Sequence, residues 1–192
     1  MAIPDLGISL PSITSLIELY AEYGLIDTYI PKLSSKTRIG SSTHEIVARI
    51  MLGGHIDENE WNTLDRPTKN AVMASQRWKK DTKFRPKEVE SMVYSLEWGI
   101  AGHPDIIGII PPWWICVNDW KTGDIDNIRV KLQIPTYGFC YLEMHPRRRL
   151  DGFRAVHLDT QKGTYSELLM SVEEGQHYFN EFIRMKKEVG IL

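Results

Sequence analysis

Asp105, Asp119 and Lys121 are the residues of this chain whose types and spacing can do chemistry. They lie in "GHPDIIGIIPPWWICVNDWKTG" (102–123), where two apolar runs meet at a Pro-Pro corner and each carries an aspartate at its far end. A carboxylate beside so much Ile, Val and Trp is costly unless it is compensated. If residues 102–110 and 113–121 form an antiparallel hairpin centred near Pro112, positions 105 and 119 each stand seven residues from that centre. Directly opposed residues on one face have Cβ atoms about 4.5–5.5 Å apart. Lys121, two residues beyond Asp119, emerges on the same face. Two carboxylates that close repel each other unless a cation stands between them. A hard divalent ion such as Mg²⁺ or Mn²⁺, ligated by oxygen, meets that need. An ion pair of Lys121 with either aspartate at a strand end is the plainer alternative, and the residues alone leave both open.

Further residues bear on the choice. Gln133 and Tyr137 are four apart and share a face if their segment is helical. His44, in an earlier helical segment, is either a ligand, a proton relay or a structural histidine. Glu90, ahead of the hairpin, is a candidate additional acid, with Glu88 and Glu97 equally placed. The formal net charge is −2, so any polyanion must be held by local clusters. Arg77, Lys79, Lys80, Lys83, Arg85 and Lys87 form one such cluster, and Arg147, Arg148, Arg149 and Arg154 another. Both fit phosphate-backbone contacts, which position a nucleic acid without reading its sequence. Solvated surface explains them almost as well. Trp61, Trp78, Trp113 and Trp114 suit stacking on single-stranded bases, or simply a core.

The elements that must hold these residues follow from periodicity and punctuation. Residues 12–23 carry Ile13, Leu16, Ile17 and Tyr20 at helical spacing. Ser42 and Glu45 form a capping-box pattern that predicts a helix over 42–52. A third helical region covers 57–80, restarting at Asp65 and Pro67. β-Branched and aromatic runs at 89–98, 103–110 and 113–120 predict a three-stranded meander. Residues 127–144 read as a helix that Pro135 kinks or begins. Strands at 153–159 and 164–171, joined at Gly163, and a helix at 172–189 complete the chain. The expected class is α+β, in a single domain with a mainly helical part over 1–83 and an α/β core over 84–192. A hydrophobic share of 42% with 25% charged residues suits a chain that buries a full core. Cys116 and Cys140 are expected as free thiols, and two cysteines are too few for a cysteine-ligated zinc or iron–sulfur site. With no run near the roughly 20 apolar residues of a membrane span and no signal-peptide pattern, a cytoplasmic protein without a membrane partner is expected. No phosphate loop is present, so no helicase motor is expected within the chain.

The assembled motifs resemble the PD-(D/E)XK nuclease superfamily, in its RecB-like branch of stand-alone phage and viral nucleases. Pro104-Asp105 precedes Asp119-Trp120-Lys121 by a gap of thirteen residues. "GHPD" resembles the branch's Gly-x-x-Asp, "DWKTG" its Asp-x-Lys-Thr-Gly, and "QIPTY" its Gln-x-x-x-Tyr helix. "LPSITSLI" and "IGSSTHEIVARIM" look like its N-terminal segment and histidine-bearing helix. The resemblance spans roughly residues 8 to 142 in the family's order. It implies a restriction-endonuclease-like core, a mixed sheet of about five strands flanked by helices with an N-terminal helical extension. It also implies a Mg²⁺- or Mn²⁺-dependent deoxyribonuclease, more an exonuclease than an endonuclease, serving replication, recombination or repair. The metal ligands would be His44, Asp105, Asp119 and the Trp120 main-chain carbonyl. Lys121 would act on the attacking water, and Gln133 and Tyr137 would help hold the site. DNA is the implied partner, with a helicase or recombination protein as a further one, and the host cytoplasm is the setting if the source is viral. A non-catalytic nucleic-acid-binding module on the same fold is the rival from another class, and a structural ion-pair cluster in an unrelated α+β protein is a second.

Overall fold

Five side chains punctuate the chain into helices. Ser12, Asp57, Asp65, Asn127 and Ser171 each accept a hydrogen bond from a first-turn amide, satisfying a donor the helix leaves orphaned. The computed structural model describes residues 1–3, 7–27, 36–112 and 114–191, without the side chains of residues 2 and 36–42. The helices are α1 (Ile13–Glu22), α2 (Lys36–Met51), α3 (Glu58–Thr63), α4 (Arg66–Thr82), α5 (Ile128–Met144) and α6 (Val172–Glu188). Helix α2 begins six residues before the expected Ser42, which therefore lies inside it and not at its cap. Helix α5 begins at Ile128 and runs through Pro135, which is buried within it. The Asn127 cap starts this helix; the proline neither begins nor ends it.

The strands are β1 (Ala2–Ile3), β2 (Ile8–Ser9), β3 (Arg85–Val89), β4 (Val93–Ser95), β5 (Ile100–Gly102), β6 (Ile106–Ile110), β7 (Trp114–Lys121), β8 (Gly152–Leu158) and β9 (Tyr165–Met170). A five-stranded mixed sheet runs β3-β6-β7-β8-β9, with β7 and β8 parallel and the other pairs antiparallel. The α+β class and the five-stranded mixed sheet flanked by helices are as the sequence led us to expect. The meander is not. The run 89–98 is split between two sheets, because Glu90 adopts a left-handed backbone (φ 48°) straight after β3. β4 then pairs with β5 in a separate ribbon, and Pro104 separates β5 from β6, where a missing amide breaks a ladder. The strand beside β6 is β3, beginning upstream of the predicted run at Arg85.

Each face of the sheet is covered by its own helices. Val117 and Ile107 pack with α1, α5 and α6 residues such as Ile13, Leu132 and Phe182. Ile106, Trp120 and Val156 pack with Val47 of α2 and Trp78 of α4 on the other side. Trp120 meets Trp78 edge-on at a centroid separation of 4.9 Å, a contact worth about 0.5–1.5 kcal/mol beyond area burial. Successive residues of a strand alternate faces, so anchoring Trp120 in one layer aims Asp119 and Lys121 at the other. Both cysteines are buried and free. No described helix is long and apolar enough to cross a membrane.

Candidate active site

The hairpin register runs from Ile110↔Trp114 to Ile106↔Asn118, which sets Asp105 opposite Asp119 at the end of the pair. Asp105 holds that end together from both sides. Its main-chain carbonyl accepts the Glu90 amide at 3.0 Å, extending the pairing of β6 with β3. Its carboxylate accepts the Trp120 amide through Oδ2 at 2.6 Å, where a further residue of β6 would have paired with β7. His44, reaching over from α2, places Nδ1 3.2 Å from Oδ1 of the same carboxylate. Asp119 is 2% exposed and ion-paired with Lys121.

Helix α5 and helix α1 close the other side. Lys121 Nζ donates to Gln133 Oε1 at 2.9 Å. Gln133 Nε2 in turn donates to Tyr137 OH at 2.8 Å and to Thr14 Oγ1 at 3.0 Å. With both acceptors on its nitrogen, the Gln133 amide must turn its oxygen to the lysine. Gly102 makes room for this arrangement: a Cβ there would stand 2.8 Å from Tyr137 Cδ1 and closer still to Cε1. The glycine of "GHPD" and the tyrosine of "QIPTY" are thus one packing unit. A cleft of about 280 Å³ opens beside Lys121, bordered by Thr14, Glu18, Asn127 and Gln133.

The protons in this cluster report an excess of negative charge. Burial and the neighbouring Asp105 charge push the Asp119 carboxyl up to about 6, against the pull of Lys121. Burial favours neutral Lys121, yet the charges of Asp119 and Asp105 outweigh it and hold its pKa above the ordinary lysine value. Burial likewise disfavours a charged His44, but its hydrogen bond to Asp105 and that carboxylate's charge raise its pKa overall. Tyr137 is pushed up to about 12, first by burial and then by Asp119. Among the described residues no three His, Cys, Asp or Glu side chains converge as a ready metal cage. The donor set nevertheless suits a hard divalent cation: two carboxylates with an imidazole beside them, in a pocket short of positive charge.

The other sequence candidates are dispersed. Glu90 is exposed and meets the site through its amide. Glu88 bonds Tyr141 and Arg148, and Glu97 is exposed in the β4–β5 ribbon. Lys79 donates to the Ile50 and Met51 carbonyls, both at 3.0 Å, and so finishes α2. Lys80, Lys83, Arg85, Lys87 and Arg147 are exposed, as is Arg77. Arg148 and Arg149 are exposed too, Arg148 being ion-paired with Glu88 and Arg149 with Asp151. Arg154 is 6% exposed and paired with Glu167, and Trp78 is wholly buried. These two belong to the core. Trp61 faces Lys69, Trp114 is exposed, and Trp113 lies outside the described residues.

No protein-family model matches the chain, and no curated protein matches it in sequence. Solved structures do. An alkaline exonuclease from Laribacter hongkongensis aligns over 93% of this chain and 88% of its own, at 13% identity and a TM-score of 0.41. SSO0001 aligns over 91% and 82%, at 12% identity and a TM-score of 0.34. Likeness at this level carries no assignment of family or activity, which must rest on the residues above.

Thr14 is the site residue that sequence reading missed. Its hydroxyl has no local signature, since it sits in an apolar helical run, and its meaning appears only once α1 docks beside α5.

Proposed function

We propose that this chain is a divalent-metal-dependent nuclease of the PD-(D/E)XK type, with a restriction-endonuclease-like core, hydrolysing phosphodiester bonds of DNA. The observation that carries the reading is the opposition of Asp105 and Asp119 at the open end of the β6–β7 pair, with Lys121 two residues on. A purely structural role does not require two repelling carboxylates there.

Asp105, Asp119, His44 and the Trp120 carbonyl would hold the ion. In an extended strand a residue's N–H and C=O leave on the same side, so that carbonyl heads toward Asp105, as the Trp120 amide does. A bound Mg²⁺ or Mn²⁺ supplies polarisation of the phosphodiester and a lowered pKa for the attacking water. Lys121, steered by Gln133, offers an ammonium to the developing negative charge or orients the water. Thr14 and Tyr137 fix the Gln133 amide. The exposed basic residues Lys80, Lys83, Arg85, Arg147 and Arg149 would track the phosphate backbone. Action at DNA ends, in replication, recombination or repair, is the form of the activity we favour.

A second reading has its own support. Lys121 is paired with Asp119 and His44 with Asp105, as a structural ion-pair cluster would have them. The two readings separate in one experiment: end-labelled linear DNA and closed circular DNA are incubated with Mg²⁺ or Mn²⁺ and the products sized. Cleavage by the wild type and none by Asp119→Asn supports the nuclease, with untouched circles indicating action at ends. An inactive wild type that binds neither ion leaves the ion-pair cluster.

A further inference from the structure

The outer edge of the sheet is irregular beside the site. Along β3, Pro86 lies opposite Gly108 and Glu88 opposite Ile107, so Lys87 between them has no partner and forms a β-bulge. Bulges re-aim side chains out of the regular alternation. Lys87 is exposed and makes no ion pair among the described residues. It borders a groove of about 270 Å³ whose floor is Ile107, Ile109 and Ile115 and whose far wall is Tyr141, Arg148 and Arg149. Arg148 is fixed there: its guanidinium lies over the Tyr141 ring, 5.6 Å from the centroid, and bonds Glu88 and the Tyr141 hydroxyl. Arg149 is looser, 69% exposed at its side chain and 3.5 Å from Asp151. Glu88 meets the charge of Arg148 and Asp151 only loosely that of Arg149, so Lys87 and Arg149 are the cations that can turn to an anion, and the apolar floor strengthens their pull by lowering the local dielectric.

The groove's position gives it a role. Ile107 and Ile109 lie on the same face of β6 as Asp105. Lys87 is two to three residues from Asp105 along the ladder, roughly 7–10 Å at 3.3 Å per residue. A phosphate-to-phosphate step along one strand is longer than the axial rise of about 3.4 Å per nucleotide, because the backbone winds around the axis, so that distance is about one such step. We infer that Lys87 and Arg149 grip a backbone phosphate of the polynucleotide strand, about one step from the phosphate at Asp105, with Arg148 as the fixed wall of the subsite. Naming that strand as the substrate rests on the nuclease reading above. The subsite reads charge and spacing and no base.

The full chain, as wild type, Lys87→Ala, Lys87→Arg, Arg149→Ala and the Lys87→Ala/Arg149→Ala double variant, is titrated with a fluorescent duplex over a range of salt without divalent ions. Each lost contact should lower the slope of log K against log salt by about 0.9, equally for duplexes of different sequence. Lys87→Arg, which keeps the charge, should keep the slope. In cleavage, Lys87→Ala should raise KM on long duplexes and leave kcat and the rate on dinucleotide phosphodiesters unchanged. A wild-type salt slope in the double variant overturns the subsite, as does equal loss on long and dinucleotide substrates. Wild-type protein that cleaves DNA while the slopes stay fixed refutes the groove alone. Wild-type protein that binds with the expected slopes but cleaves nothing refutes the nuclease and keeps the groove as a phosphate-binding site.

Discussion

Replacing Gly102 by Ala adds one methyl group where β5 faces α5. That carbon would lie 2.8 Å from Tyr137 Cδ1 and 3.1 Å from Ile13 Cδ1. Gly102 and Tyr137 are both buried, so the ring cannot swing into solvent, and overpacking of this kind costs about 1–3 kcal/mol. At roughly 2–4 °C per kcal/mol for a chain of this length, the melting temperature should fall by roughly 2–12 °C. The ring carries the hydroxyl that holds Gln133, so kcat should fall as well. A double-mutant cycle isolates the cause. Tyr137→Ala alone should cost about 3–5 kcal/mol, as for other large aromatic truncations. Combined with Gly102→Ala, it should cost less than the sum by about the overpacking energy, because the clash is gone. Melting of the four proteins by circular dichroism gives the coupling. Additive losses, or an unchanged Gly102→Ala protein, would refute the claim that the glycine exists to seat the tyrosine.

Asp119→Asn and Lys121→Ala should each abolish cleavage while DNA binding persists, measured by turnover and anisotropy; wild-type turnover by Lys121→Ala sinks its assigned role. Asp105→Asn should melt near the wild type because its amide oxygen still accepts the Trp120 amide, whereas Asp105→Ala should lose about 1.5–3 kcal/mol, the usual worth of a bond to a charged acceptor. Thr14→Val should lower kcat with little change in KM, and Thr14→Ser should restore it; equal behaviour of the two would mean the hydroxyl is idle. Mn²⁺ should support at least the activity of Mg²⁺, and Ca²⁺ none, since imidazole is softer than carboxylate and Ca²⁺ coordination is looser. Without divalent ions, the contribution of Asp119 to stability should fall as pH rises from about 4 to beyond 6. Asp119 is raised from 3.8 to about 6 by burial and Asp105, so the folded state binds the extra proton in that window and loses its advantage above it. Melting in chelator across this range checks the sign: the melting temperature of the wild type relative to Asp119→Asn should fall as pH rises.

The hairpin was legible because two facts sufficed: a Pro-Pro corner and side chains that alternate. Counting outward from Pro112 set Asp105 opposite Asp119, and the observed register agrees. The helix restart at Asp65 was legible for a similar reason, its cap being local chemistry within three residues, whereas the capping-box pattern at Ser42 misled, since α2 begins at Lys36. The run 89–98 misled because its residues all favour strands, while its division between two sheets depends on the left-handed turn at Glu90. Glutamate carries no signal for that conformation. Lys79 read as one more surface cation, since nothing nearby in sequence says that the end of α2 lies within its reach. Thr14 was silent for the same reason, its partner Gln133 lying far along the chain, and the glycine of "GHPD" showed as a motif without its packing partner Tyr137.

The site draws on both helical layers of the molecule. His44 comes from the layer that packs around Trp120, while Thr14, Gln133 and Tyr137 come from the opposite layer, and they meet only around the end of β6 and β7. Neither half of the set is complete without the other. For the proposed nuclease, competence is therefore a coincidence gate on folding. Under the proposed nuclease reading, a nascent chain, which has made His44 long before Tyr137, stays harmless to nucleic acid until α5 has settled on the sheet.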